Sequence, residues 1–451
     1  MQTLSFAARL RNLRGGQGSL RRHLTQVAAG SAGLALSSKL LTLLTSVLLA
    51  RWMGAADYGV YATATALVAL LTVPTGLGLP TLVVRLLAAY RVHQQWGLMR
   101  GLLVRGNQAV LGASLVIALT AAAAIWGLED RLGLAHTEVY ILALALIPLT
   151  ALSAVRSAAL RGLHHVVLGQ LPENLVMPGL FVALLAAWSA TGSTLSPRAA
   201  VGLQVCAVSV AFVVGAWLLL RRLPSPVRLA IPRYDTANWA RAAVPLLFLG
   251  GMSIINTQTD VLMLAAMQGP ESAGVYRAAA RGADLVVFAL VVVNTAVQPT
   301  IARLYTAGNM QHLQRVITIA ARAALTVSLP VALVLGLFGQ PILSVVYGQD
   351  FGSGALCLAI LCGAQVINAA AGPVALILNM TGHEREAAIG VAVGAIVNVV
   401  LNAALIPLWN IEGAALATGL SLVTWNVVLI GFVRRRTGLS STVVSKSITN
   451  A

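Results

Sequence analysis

The sequence predicts an all-α polytopic membrane protein of about twelve transmembrane helices, in two six-helix lobes related by a parallel pseudo-twofold repeat. Three observations predict it. The 451 residues are 58% hydrophobic and only 10% charged, where a soluble domain carries about 25% charged residues. Twelve apolar runs approach or exceed the roughly 20 residues that a helix needs to cross a bilayer core. A motif at the end of the first run returns at the end of the seventh.

The elements follow in order. Residues 1–27 are basic, and the opening "MQTLSFAARLRNLRGGQGSLRRHLT" lacks the long apolar core of a cleavable signal, so it reads as a cytoplasmic tail. Spans 1–6 fall at 28–50, 58–82, 107–127, 139–160, 174–191 and 199–220, giving an N-lobe of 28–220. A basic linker at 221–241, inside "RRLPSPVRLAIPRYDTANWARAA", joins the halves. Spans 7–12 fall at 242–266, 273–297, 315–338, 353–377, 387–408 and 413–433, giving a C-lobe of 242–433, and 434–451 form a second tail. An even number of spans places both termini on one side.

Charge orients the stack. One set of connections holds Arg91, Arg100, Arg105, Arg161, Arg221, Arg222, Arg228, Arg233, Arg241, Arg303, Arg315, Arg385 and Arg434–Arg436, with the tail at Arg9–Arg22. The other set holds Asp57, Glu129, Asp130, Glu138, Glu271, Asp350 and Glu412. The positive-inside rule makes the basic side cytoplasmic, so both termini are expected inside a bacterial inner membrane. The same rule accounts for the formal net charge of +17 without any nucleic-acid partner. No loop on the acidic side has room for a catalytic domain, there is no Walker A loop, and no cofactor or metal site is implied. Cys206, Cys357 and Cys362 lie in apolar runs and are read as packing residues. His164, His165 and His383 fall in turns. Pro74, Pro148, Pro178, Pro245, Pro330 and Pro373 fall within spans as candidate kinks.

The repeat appears when "VLLARWMGAADYGVYATATAL" is shifted by 215 residues. Ala50 meets Ala265, Gly54 meets Gly269, Gly59 meets Gly274, Val60 meets Val275 and Tyr61 meets Tyr276. Each copy ends an odd-numbered span, turns, and opens the next span. Because a lobe has six spans, both lobes enter from the same side, and the repeat axis lies along the membrane normal. Two such bundles enclose a cavity that can open to either side, which is transporter architecture.

"LLARWMGAADYGVYA", followed by "GLGLPTLVVRLLAAY", resembles the opening of bacterial polysaccharide and O-antigen flippases of the multidrug/oligosaccharidyl-lipid/polysaccharide exporter superfamily. "FGQPILSVVYGQDFGSGALCLAILCGAQVINAAAGPVALILNMTGHEREA" and "VNVVLNAALIPLWNIEGAALATGLS" are similar to the C-terminal region of that family. The resemblance covers most of 28–434. It implies movement of a polyprenyl-diphosphate-linked oligosaccharide between leaflets, with membrane lipids and other polysaccharide-assembly proteins as partners. Lipid II flippases of the superfamily usually have two further C-terminal spans, and twelve spans disfavour that branch.

Intramembrane charges are rare and cost about 2.5–3.5 kcal/mol each at a helix centre. Here they are Lys39 in span 1, Asp260 in span 7, Arg277, Arg281 and Asp284 in span 8, and Arg322 in span 9. Arg277 with Arg281, and Arg281 with Asp284, stand at spacings that share a helix face. Two readings compete. In the first, Asp260–Arg277 and Arg281–Asp284 are ion pairs that hold the lobe together, which leaves Lys39 and Arg322 unpaired. In the second, Lys39, Arg277, Arg281 and Arg322 face a cationic cavity that grips a lipid diphosphate. Asp284 then orients Arg281, and Asp260 pairs with Arg277 or binds a coupling Na+ or H+. Glu173 and Asn174 read as interfacial. A cation-coupled small-molecule exporter is the alternative function, and a membrane glycan polymerase or ligase is a third that the short outer loops disfavour.

Overall fold

The structure, a computed structural model, describes residues 4–132 and 136–443; Lys446 lies outside the described residues. Within them every element is a helix. Ten helical stretches among the described residues are long and apolar enough to cross a membrane. Gly33–Thr75, at 43 residues, would extend about 65 Å as one straight helix, twice the roughly 30 Å hydrocarbon core. It breaks at Gly54 and therefore holds spans 1 and 2. Glu384–Thr437 breaks at Trp409 and Asn410 and holds spans 11 and 12. Ten stretches thus supply the twelve expected spans.

Between them lie the others. Span 2 continues after a turn as Leu79–Val92. Span 3 is Trp96–Leu132, and span 4 is Thr137–Leu144 with Leu146–Gly162. Span 5 runs Val166–Leu171, a π-helical turn Pro172–Val176, and Met177–Ser189. Span 6 is Pro197–Arg222, span 7 Thr236–Gln268, span 8 Pro270–Thr306 and span 9 Met310–Leu337. Span 10 is Ala355–Ala371, broken at Gly372-Pro373 before Val374–Met380. Pro373 does interrupt its helix, whereas Pro245 and Pro330 sit inside continuous ones.

Large apolar side chains such as Leu119, Trp126, Val213 and Leu220 are exposed on the outer faces. A water-soluble protein would bury such a girdle, and a hydrocarbon surround accepts it. Cys357 and Cys362 are buried as expected, but Cys206 lies on the exposed face of span 6. Its apolar run had suggested packing; in a membrane helix an apolar residue faces lipid as readily as core.

The repeat is visible in the backbone. Gly54 has φ 76° and ψ 176°, and Gly269 has φ 92° and ψ 170°, a region open essentially to glycine alone. Both glycines turn the chain on the side opposite the termini. Just beyond, spans 2 and 8 cross so tightly that a Cβ on Gly59 would collide with the Pro270 carbonyl. Reciprocally, one on Gly274 would collide with that of Ala55. Ala55 and Pro270 are themselves 215 residues apart, so the crossing is self-reciprocal. Arg51 of span 1 reaches across the same side to donate to the carbonyls of Val345 and Val346. The Tyr58 ring meets Phe351 edge-on at 6.1 Å. The lobes therefore close on the side away from the termini. Toward the terminus side, spans 1 and 8 part.

Candidate functional site

Two neighbouring spaces lie along that parting. The first is a polar chamber of 280 Å³. Span 1 lines it with Ser38, Thr42, Thr45 and Ser46, and span 2 with Tyr58, Tyr61 and Thr65. The spacing of Ser38, Thr42 and Ser46 puts them on one stripe of the helix. Thr42 and Thr45 donate to the carbonyls of Ser38 (2.7 Å) and Leu41 (2.8 Å), which leaves their oxygens free to accept. Ser46 and Tyr58 share a hydrogen bond of 2.7 Å. Gln204 of span 6 and Glu173 of span 5 complete the N-lobe wall. The facing wall is span 8, with Arg277 and Arg281.

The second space is a slot of 520 Å³ between spans 1 and 8. Leu36, Leu40, Leu43, Leu285, Phe288 and Val291 make it largely apolar. Its charges are Lys39, Arg281 and Asp284. Arg281 pairs with Asp284 at 3.3 Å, as their i,i+3 spacing predicts. Lys39 is exposed to the slot and, among the described residues, has no carboxylate within ion-pair distance. Arg281 and Thr42 line both spaces. A guanidinium stands at the border of chamber and slot.

Other predicted residues lie elsewhere. The expected Asp260–Arg277 pair is not formed. Arg277 donates to Gln258 at 3.3 Å, while Asp260 turns into the C-lobe. Gln258 and Asp260 are two apart on one helix, about 200° around its axis, so they cannot face the same neighbour. Asp260 is 4% exposed. It accepts from Asn398 (3.0 Å), Asn402 (2.6 Å), Tyr276 (2.8 Å) and Thr418 (2.8 Å). Spans 7, 8, 11 and 12 thus converge on one carboxylate, and the buried Asn402 Oδ1 beside it has no hydrogen-bond partner. Arg322 lines neither space. It is exposed and donates to the Val443 carbonyl at 3.4 Å, since its long side chain reaches the returning C-terminal segment instead of the seam between the lobes.

Two charged residues escaped the sequence reading. Glu173 reads as interfacial in the sequence, at the cytoplasmic start of a span expected over 174–191. The π-helical turn carries the helix through it, and span 5 starts at Val166. Arg156 of span 4 is 7% exposed. Its guanidinium donates to Leu152 O (3.3 Å), Ser153 Oγ (3.2 Å) and Phe212 O and lies over the Phe212 ring. An arginine ringed by carbonyls and an aromatic face needs no carboxylate, and so no paired acid in the sequence announces it.

The sequence matches two family models. One, described as polysaccharide biosynthesis protein, matches residues 29–305, and the other, MatE, matches residues 249–404. Lipid II flippase MurJ of Bacillus subtilis (strain 168) is 28% identical over 159 residues; the match takes in 33% of this chain and only 28% of that protein. An inward-facing multidrug resistance MATE family transporter of the MOP superfamily superposes with a TM-score of 0.73. It shares 15% identity, over 90% of this chain and 98% of that one. A lipid II flippase MurJ in an inward closed conformation gives 0.67 at 13% identity, over 89% and 86%. At these identities the two superpositions establish the fold.

Proposed function

The chain belongs to the polysaccharide biosynthesis protein family, and from that premise we propose that it is a flippase for a polyprenyl-diphosphate-linked oligosaccharide. It carries that lipid from the cytoplasmic to the outer leaflet of the bacterial inner membrane by alternating access, with its terminus side cytoplasmic. One observation carries the reading: a hydroxyl-lined chamber and an apolar slot share Arg281 and Thr42. A glycan, an anionic linkage and a prenyl tail follow one another in the same order. The hydroxyls suit the sugar, and Arg281 with Arg277 and Lys39 suits the diphosphate, whose oxygens arginine can grip two at a time. The slot keeps the tail in an apolar surround. With the cytoplasm negative, an anion moving outward gains about 2.3 kcal/mol per charge per 100 mV if it crosses the full potential.

Asp260 is the coupling group of this proposal. A carboxylate with four neutral donors and no cation is costly to keep ionised in a buried site. A Na+ or a proton relieves that cost, and the unpartnered Asn402 Oδ1 supports a cation there. The MatE match over residues 249–404 supports a second reading, in which the same Asp260 cluster drives export of a small molecule.

Surface glycan and membrane protein level, measured together in cells, test the first reading. Arg281→Ala and Arg281→Gln are expected to lower export at least about 100-fold at normal protein abundance, while Arg281→Lys keeps part of it. Normal export by Arg281→Ala at normal abundance would remove the anion-gripping role of this residue.

A further inference from the structure

The repeat relates span 1 to span 7 and span 2 to span 8, so the slot between spans 1 and 8 has a counterpart between spans 7 and 2. There the lobes stay joined on the terminus side. A Cβ on Gly78, in the turn after the first part of span 2, would collide with the Ala243 carbonyl and the Leu247 amide nitrogen. Trp239 Nε1 of span 7 donates to the Tyr90 hydroxyl at 2.9 Å. Against this joint lies a pocket of 170 Å³. Leu77, Leu102 and Ala109 line it from the N-lobe, and Ala243, Val244 and Leu247 from span 7. Ala109 and Val244 are exposed, so the pocket opens on the outer face of the bundle. Arg105 of span 3 is the one charged group that lines it.

The linker fixes the level of this pocket in the membrane. Arg100 of span 3 donates to the carbonyls of Arg228 and Ala230, both at 2.8 Å. The Arg233 amide donates to the Gly97 carbonyl at 2.9 Å. Held in this way on the end of span 3, the linker leaves Leu229 84% and Ile231 83% exposed, among the exposed Arg228 and Arg233. Apolar side chains mixed with arginines mark the boundary between hydrocarbon and headgroups. Arg105 lies about 7.5 Å further along span 3 than Arg100, and the pocket runs from that boundary into the apolar layer. Among the described residues Arg105 has no carboxylate within ion-pair distance. Its guanidinium lies 6.0 Å from the centre of the Tyr234 ring. Asp235, the one acid of the linker, accepts from the Asn238 amide at 2.9 Å and does not line the pocket. A charge that served topology alone would need only to reach water; this one ends on the rim of an apolar pocket.

We infer that the pocket binds one anionic phospholipid of the terminus-side leaflet, with its phosphate on Arg105 and an acyl chain between spans 3 and 7. Basic pockets between membrane helices hold such headgroups. A zwitterionic lipid brings the same chain but sets its own cation beside Arg105, so charge decides the preference. Because the walls come from both lobes, the bound lipid ties spans 2 and 3 to span 7 and stabilises the joint. This inference does not rest on what the chamber and slot carry.

The test is lipid binding by the purified full-length protein, titrated with phosphatidylglycerol or phosphatidylcholine and read by native mass spectrometry, with thermal unfolding in parallel. The wild type keeps one phosphatidylglycerol about fivefold more tightly than phosphatidylcholine, and phosphatidylglycerol raises its unfolding temperature. Arg105→Gln removes that preference and leaves phosphatidylcholine binding unchanged. Val244→Trp fills the pocket and lowers the affinity for both lipids; Val244 is 53% exposed, so the larger ring displaces lipid and not core. Arg315→Gln, which removes an exposed charge from the same side at span 9, behaves as the wild type.

The inference is overturned if Arg105→Gln keeps the preference or if Val244→Trp binds both lipids as the wild type does. It is equally overturned if Arg315→Gln loses as much as Arg105→Gln, since the protein would then respond to bulk charge. A short-chain polyprenyl diphosphate whose binding Val244→Trp abolishes would make the pocket a second seat for the substrate and overturn it too. Loss of the preference in Arg105→Gln alone leaves the role given to Arg281 untouched.

Discussion

The two lobes share a backbone and differ in charge. Gly54 and Gly269 turn with nearly the same dihedral angles, and Gly59 and Gly274 let the following helices cross. At equivalent positions the chemistry diverges: Thr45 stands where the C-lobe has Asp260, and Ala62 and Ala66 stand where it has Arg277 and Arg281. The hinge was kept in both copies, and the ionic groups were kept in one. Four arginines around one chamber would repel one another in a medium that screens poorly. Two arginines facing a wall of hydroxyls make a chamber with an anion side and a sugar side.

The comparison can be broken first at the shared crossing. Gly59→Val and Gly274→Val each drive a side chain into backbone that cannot rotate away. Each is expected to cost about 3 kcal/mol or more and to lower the thermal stability of the purified protein by similar amounts. A large loss at one glycine with none at the other would refute the reciprocal crossing.

A second experiment sharpens the difference between Asp260 and Thr45. In proteoliposomes that flip a fluorescent polyprenyl-diphosphate oligosaccharide, Asp260→Asn should make the rate indifferent to Na+ and H+ gradients, while its basal rate stays within about tenfold of the wild type. Thr45→Val should leave gradient dependence intact, since it removes a hydroxyl that bonds its own helix at Leu41. Gradient dependence that survives in Asp260→Asn would make the cluster structural.

The smallest effect is expected at Arg322. The only described hydrogen bond of its side chain is to the Val443 carbonyl, so Arg322→Gln should change stability by no more than about 0.5 kcal/mol and leave surface glycan within about twofold of the wild type. A deficit like that of Arg281→Gln would place Arg322 on the substrate path after all.

Much of this was legible in the chain. Lipid demands that each crossing segment satisfy its own backbone, so length and hydropathy alone mark the spans. Even a helix as long as Gly33–Thr75 could be divided, because the glycine at its break recurs at Gly269. Arg281 and Asp284 were legible as partners because three residues on one helix lie on one face. What depended on rotation about a helix axis was not. Asp260 and Arg277 share a depth, which had suggested a pair, yet Asp260 points at spans 11 and 12. Glu173 stood at the edge of the span expected over 174–191, and a helix that starts at Val166 and passes through a π-helical turn carries it into the chamber.

The sequence by itself determined the twelve crossings, the repeat that pairs the lobes and the excess of intramembrane arginine, since those depend on composition and spacing along one dimension. Only the tertiary structure decided which charges meet. It drew Asp260 into a ring of amides and hydroxyls, left Arg322 outside the seam, and brought Glu173 to the wall of the chamber. The reason is geometric. A side chain's partner is fixed by the angle at which its helix is packed, and that angle is set by contacts with residues hundreds of positions away.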